Sequence, residues 1–289
     1  MPTISKIKSY YHLTKPGIIY GNLLTAIAGF LFASHWAGDY RALAGLIVGV
    51  ALIIGSGCTL NNIIDKDIDA RMERTRNRAI ITGKISTKGA IIFAVILLIL
   101  GSFILGLLTN TITMLIAWFG LVTYSLIYSW AKRITVYSTL IGSLSGAMPI
   151  LGGYTAAKGH IGLAGIILVF ILACWQMAHF YAIGLYRKKD YETANLPIWS
   201  VVKGDWSTQI QVVAFITLFT AALASLFVLG YVAYSYLAVI LIAGMYWLWQ
   251  SIASIDKQNS VAWGKKVFNS SLVIILVTSV MLALGPILP

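Results

Sequence analysis

Apolar runs of roughly 18 or more residues recur from one end of this chain to the other, each long enough to cross a hydrocarbon core of about 30 Å as a helix. Of the 289 residues, 59% are hydrophobic and 10% charged, against about 25% charged in an ordinary soluble domain. A water-soluble fold has no use for that much apolar surface. In lipid every backbone N–H and C=O must be paired internally, which leaves helices or a closed barrel, and the alternating pattern of a barrel is absent. The expectation is therefore an all-α, polytopic membrane protein of about nine transmembrane helices around a central cavity. The spans are placed at 17–36, 43–63, 89–108, 111–130, 137–156, 161–185, 208–229, 232–250 and 268–287.

Sorting the basic residues by loop tests that count. Lys6, Lys8, Lys15, Lys66, Arg71, Arg74, Arg76, Arg78, Lys84, Lys88, Lys132, Arg133, Arg187, Lys188, Lys189, Lys203, Lys257, Lys265 and Lys266 fall on one side, 19 of the 21, and only Arg41 and Lys158 on the other. A missed or extra helix would have mixed the two sets. The positive-inside rule then places the N-terminus in the cytoplasm and the C-terminus outside. The net charge of +12 is concentrated on one face, where attraction to anionic lipid is worth about 1 kcal/mol per basic residue. Nucleic acid is a poor partner, since no soluble module is present to hold it. Cys58 and Cys174 lie inside apolar segments without CxxC spacing, so packing is their expected role. Residues 1–15 read as a retained interfacial segment leading into the first helix.

Seven of the nine acidic residues sit in two loops on the basic side. Asp65, Asp67, Asp69 and Glu73 follow the second helix; Asp190, Glu192 and Asp205 follow the sixth. If the second helix continues past the bilayer edge, Asn61, Asp65 and Asp69 recur at i, i+4 and i+8 and share one face. Such a row of hard oxygen ligands suits Mg²⁺, which takes one or two carboxylates, retained waters and substrate phosphate oxygens. Arg71, Arg74 and Arg78 lie on nearby turns and can bind phosphate with forked hydrogen bonds. The competing reading is a solvated, charge-mixed loop that anchors the helix end. In the second loop Tyr186, Arg187 and Lys189 surround Asp190, and an interfacial snorkelling patch is the alternative there. Two such loops at matching distances point to a duplicated four-helix unit, helices one to four and five to eight plus a ninth, within one domain spanning 1–289. The loops would meet above one cavity, holding a diphosphate while its apolar tail stays in the bilayer.

The stretch Asn61 to Asp69 resembles the first aspartate-rich motif of the UbiA-type intramembrane prenyltransferases, with Asn62 in place of that motif's second residue. Several phrases resemble more narrowly the protohaem IX farnesyltransferases. They are Leu13 to Ile19, Asp65 to Arg78, Lys132-Arg133 through Gly142 to Pro149, Trp175-Gln176-Met177-Ala178-His179, and Lys189-Asp190-Tyr191 through Pro197 to Gly204. The second motif of the superfamily is reduced here to Tyr186-Arg187-Lys188-Lys189-Asp190, which keeps only the last carboxylate. Basic residues are then expected to take over part of the diphosphate charge. Ala178 stands where this family often has proline.

The resemblance implies Mg²⁺ as cofactor, farnesyl diphosphate as donor, haem B as acceptor at its 2-vinyl group, and haem O as product. It also implies residence in the bacterial inner membrane, with a haem A synthase or terminal oxidase assembly pathway downstream. Asn61, Asp65, Asp69 and Asp190 are the metal candidates. Tyr124 and Tyr128 are candidates to line the reacting region and stabilise an allylic cation with their faces, or else are interfacial belt aromatics. His179, deep in a span, is a candidate for haem iron or a propionate, or else makes an interhelical hydrogen bond. Lys15, Lys132, Arg133 and Lys203 are candidates for propionates or diphosphate. Gly142 and Gly146 are expected to serve close helix packing, and Pro149 to kink the fifth helix beside the cavity. Another prenyltransferase of the superfamily, acting on a quinone or aromatic precursor, and a membrane transporter are the alternatives.

Overall fold

In the computed structural model, which describes residues 3–255 and 259–289, the apolar runs form helices bounded by polar caps. A short helix α1 (Thr3–Leu13) precedes α2 (Pro16–Ser34), α3 (Tyr40–Ile64), the short α4 (Lys66–Arg71), α5 (Thr87–Leu108) and α6 (Thr111–Val122). α6 continues through a π-helical turn, Thr123–Tyr128, into α7 (Ser129–Ile134), so that the three form one rod. Then follow α8 (Ser138–Lys158), α9 (Leu163–Tyr186), the short α10 (Lys188–Thr193) and α11 (Trp199–Val202), α12 (Asp205–Val228), α13 (Tyr234–Ala253) and α14 (Ser260–Leu284). Helix starts are fixed where side chains satisfy otherwise orphaned N–H groups: Asp39 accepts from Arg41, Ser86 from Gly89, Asn110 from Thr113 and Asn259 from Ala262.

Nine long rods are present among the described residues, and eight are apolar enough by composition to cross a membrane. The ninth, α8, is rich in Gly, Ser and Thr and lies inside the bundle against α2, α6 and α9. The chain is an integral membrane protein. Two boundaries differ from the sequence expectation by more than three residues. The fourth span runs on to Ile134, so Lys132 and Arg133 ride on a helix rather than a loop. The last begins at Ser260 rather than 268, which places Lys265 and Lys266 on its first turns. Lys257 lies outside the described residues.

Lipid carries no hydrophobic drive to bring helices together, so contact depends on close fit. The α2–α8 seam shows how close. A Cβ added at Gly153 would lie 1.9 Å from the Ala26 carbonyl oxygen, and one at Gly29 would lie 2.2 Å from that of Ile150. The backbones touch there because both helices carry glycine at the crossing. Gly142 and Gly146, expected to serve close helix packing, let side chains of neighbouring helices approach. Their added Cβ atoms would meet the Tyr128 ring at 3.0 Å and the Gln176 amide oxygen at 2.1 Å. α5 is the most outward rod, with Ile99 and Phe103 exposed to lipid. At the other end of the bundle from the charged loops, Trp36 donates to the Ala283 carbonyl at 2.7 Å and ties α2 to the end of α14.

Candidate active site

α3 stops at Ile64 with Asp65 as its cap, and α4 restarts one residue later. The break does not interrupt the register. Asp65 N–H bonds to the Asn61 carbonyl at 2.9 Å and Asp69 N–H to the Asp65 carbonyl at 2.8 Å, so Asn61, Asp65 and Asp69 do lie along one face. All three are buried. Asn61 donates to Asp65 Oδ2 at 2.6 Å and to Ser129 Oγ at 2.8 Å, whereas Asp65 Oδ1 is buried without a hydrogen-bond partner.

Each carboxylate of the row faces a cation brought from elsewhere. Lys132 of α7 pairs with Asp65, and Arg133 sits 3.9 Å from its other oxygen. Arg133 also holds Asp67 through a fork at 2.7 and 2.8 Å, which pulls the Asp67 carboxyl down to about 2. Arg78 pairs with Asp69 and bonds Asn62 Oδ1 at 3.0 Å; Asn62 in turn donates to the Leu13 carbonyl. The residue that departs from the family motif thus ties the row to the N-terminal segment. Lys15, in a left-handed conformation at φ 52° between α1 and α2, donates to Asn61 Oδ1 at 2.6 Å. Burial draws its ammonium down to about 8, with Arg78 adding to the effect and Asp69 and Asp65 opposing it.

The row opens into an outer chamber of about 790 Å³, lined also by Lys15, Arg74, Arg78, Lys132, Tyr186 and Arg187. Below it, inside the bundle, lies an apolar inner chamber of about 450 Å³. Gly17, Ile18, Tyr124, Gly142, Phe180 and Ile183 line both, so the two adjoin. Tyr124 and Tyr128 stack at 6.0 Å where the π-helical turn presents them, and each carries an ammonium near its face: Lys15 at 5.9 Å and Lys132 at 5.6 Å. The electron-rich faces therefore already sit against positive charge.

The loops after α3 and α9 meet over the outer chamber through apolar contact, with Ile68 and Met72 packed on Ala194 and Leu196. Tyr186, Arg187 and Tyr191 reach the chamber from the second loop. Asp190 is half-buried on α10 and Lys189, Lys203 and Arg71 are exposed; none of these four lines it, and Arg133 turns instead to Asp67. Lys188 bonds Asp205 at 2.6 Å, closing the far side of that loop. In the inner chamber, Gln176 and His179 of α9 and Pro149 of α8 face the space together with Cys58. Gln176 lay within a sequence phrase without being singled out, and Ser271, 2.6 Å from His179 Nδ1, was missed altogether. Their only local signal was a polar residue inside an apolar span.

No group of three or more His, Cys, Asp or Glu side chains capable of caging a metal occurs among the described residues. That fits a hard ion that relies on phosphate oxygens and water for the rest of its shell. The all-oxygen row of Asn61, Asp65 and Asp69, with Asp65 Oδ1 free of any hydrogen bond, has the right donor chemistry.

The model of the UbiA prenyltransferase family matches residues 22–273. The chain is 42% identical over 280 residues to a protein named protoheme IX farnesyltransferase 2 of Chromobacterium violaceum, covering 96% of this chain and 93% of that one. It is 42% identical to the protoheme IX farnesyltransferase of Photorhabdus laumondii, over 98% and 97% of the two chains. Among solved structures, a digeranylgeranylglyceryl phosphate synthase superposes with a TM-score of 0.81 at 19% identity, over 98% of this chain and 99% of that one. A UbiA homologue from Archaeoglobus fulgidus bound to GPP and Mg²⁺ superposes with a TM-score of 0.73 at 14% identity, over 92% and 99%.

Proposed function

Because the chain belongs to the UbiA prenyltransferase family, we propose that it transfers the farnesyl group of farnesyl diphosphate to the 2-vinyl group of haem B, with addition of water, giving haem O and diphosphate. The observation that carries this is the adjacency of the two chambers: a cationic, carboxylate-bearing mouth adjoins an apolar space within the bundle. A prenyl diphosphate needs its charged head at such a mouth, with its tail left in the bilayer, and the apolar space beside it admits the acceptor's ring to the reacting carbon. The names of the relatives matched over nearly their whole length supply the acceptor.

Asn61, Asp65 and Asp69 would hold Mg²⁺, which when bound supplies Lewis-acid neutralisation of the departing diphosphate. Lys15, Arg74, Arg78, Lys132 and Arg187 hold the phosphate oxygens and stabilise the charge that grows on them as the C–O bond breaks. Lys132 and Arg78 are ion-paired with the carboxylates in the free protein, so they must pass from carboxylate to phosphate as substrate arrives. Tyr124 and Tyr128 face the allylic cation and keep water from it at the junction of the chambers. The vinyl π pair forms the new C–C bond, and water captures the cation left on the acceptor. No protein nucleophile is required. Asp190 and Lys189 would act by steering the second loop rather than by contact.

One domain built from a duplicated four-helix unit, in a bacterial inner membrane with its site loops cytoplasmic and its C-terminus outside, completes this reading. Purified protein incubated with Mg²⁺, farnesyl diphosphate and haem B should yield haem O by mass. Prenylation of 4-hydroxybenzoate without haem O would reject haem as the acceptor.

A further inference from the structure

His179 sits in the inner chamber against Trp175, whose ring stacks on it at 4.7 Å, and beside Phe268 at 5.0 Å. Its Nδ1 lies 2.6 Å from Ser271 Oγ, on α14. The Ser271 hydroxyl has one hydrogen, and it is directed to the Phe268 carbonyl oxygen at 2.6 Å, an atom that can only accept. The hydrogen between His179 and Ser271 must therefore come from Nδ1. No Asp or Glu lines the inner chamber to stabilise an imidazolium, and an uncompensated charge at this depth is costly. The ring is thus a neutral imidazole protonated on Nδ1, with a bare lone pair on Nε2.

A second feature marks this level of the chamber as built for a ligand. Gln176, one turn before His179, is 5% exposed and lines the chamber. It makes no hydrogen bond among the described residues. Gly146 is what leaves space for its amide. Its carboxamide is thus offered to the chamber as a free donor and acceptor.

We infer that Ser271 is a positioning residue that fixes the His179 tautomer, so that Nε2 is presented to the inner chamber as an axial ligand for the iron of the haem acceptor. This rests on the haem reading above. Ligating histidines commonly donate their other ring N–H to a fixed acceptor, which orients the ring and strengthens it as a donor. Here the acceptor is a hydroxyl whose own hydrogen is committed elsewhere. Trp175 Nε1 meanwhile bonds the Ser271 backbone carbonyl at 3.0 Å, so the contact between α9 and α14 does not depend on the hydroxyl.

The test is resonance Raman spectroscopy of ferrous haem B bound to the full-length protein, with haem titrations alongside. The iron–imidazole stretch should appear in the wild type, vanish in His179→Ala and return on adding imidazole. Ser271→Ala should weaken haem binding about tenfold or more and move the stretch to lower frequency, while Ser271→Thr restores both. Should Ser271→Ala not fold, Ser271→Cys, a weaker acceptor, should shift the stretch in the same direction. Wild-type protein that binds haem without an imidazole stretch overturns the inference, as do serine variants with unchanged stretch and affinity. A mass assay on the same samples separates the two levels. Haem O formed without the imidazole signature defeats only this inference, whereas no haem O at all defeats the proposed reaction.

Discussion

Asn61 donates its carboxamide N–H to Asp65 Oδ2 at 2.6 Å, one helical turn along the same face, while the other Asp65 oxygen has no hydrogen-bond partner. The amide and Lys132 hold one carboxylate oxygen, and its twin lies 3.9 Å from Arg133 without a hydrogen bond. Asp65→Ala should therefore lower haem O formation by at least about a hundredfold, in the range seen when a transition-state charge stabiliser is removed. The variant should remain inserted and monodisperse on size exclusion. Full activity would remove the metal role from Asp65.

The Lys132–Asp65 pair makes a separate forecast. Lys132 occupies the carboxylate in the free protein, so it competes with a metal ion and is released to the diphosphate. Lys132→Met should raise the affinity for Mg²⁺ measured without diphosphate, and raise KM for farnesyl diphosphate. Losing Lys132 leaves the buried Asp65 with only Asn61 and the more distant Arg133 to compensate it, which destabilises the free protein. Mg²⁺ should accordingly raise the melting temperature of the variant more than that of the wild type. Equal Mg²⁺ affinity in both would contradict the exchange.

Lys15 predicts a pH dependence. Its ammonium is held near 8 in the folded protein against 10.5 as the ordinary value. Below about 8 it is charged in both folded and unfolded states, and the burial penalty is fully present. Between about 8 and 10.5 the folded state releases the proton first, so this group's contribution to stability rises with pH across that window. Diphosphate binding runs the other way: kcat/KM for farnesyl diphosphate should fall as pH rises through about 8. Lys15→Arg should move that fall out of the measurable range; an unchanged profile would dissociate Lys15 from the substrate.

Arg187 lines the outer chamber and Asp190 does not. Steady-state kinetics should then show a larger rise in KM for farnesyl diphosphate in Arg187→Ala than in Asp190→Ala. The reverse order would mean that the second loop closes differently over bound substrate.

The α2–α8 seam is testable by stability alone. Gly153→Ala places a Cβ 1.9 Å from a backbone oxygen that cannot rotate away, and should destabilise by about 1–3 kcal/mol, read as a lower melting temperature. Gly106→Ala, whose added Cβ meets only Met114 Sδ at 3.6 Å, is the matched control and should change little.

Hydropathy and helical periodicity are local or additive properties, so the number of rods and the facing of Asn61, Asp65 and Asp69 could be read from the chain alone. Helical periodicity carries that face through the α3–α4 break because the i to i−4 hydrogen bonds persist. What the sequence could not determine was which distant groups complete the site. Lys132 and Arg133 have no acidic neighbour in their own segment; only packing of α7 against the end of α3 supplies Asp65 and Asp67. Gly142 and Gly146 share a spacing that reads as helix packing, and they do pack, against the Tyr128 ring and the Gln176 amide, whereas the backbone-to-backbone approach of the α2–α8 seam falls at Gly29 and Gly153. Which face of a helix meets a neighbour is set by the whole bundle rather than by the motif. The same holds for Ser271, 92 residues beyond His179, since a hydrogen bond between two helices exists only once their rotation and depth in the membrane have been fixed by everything else they touch.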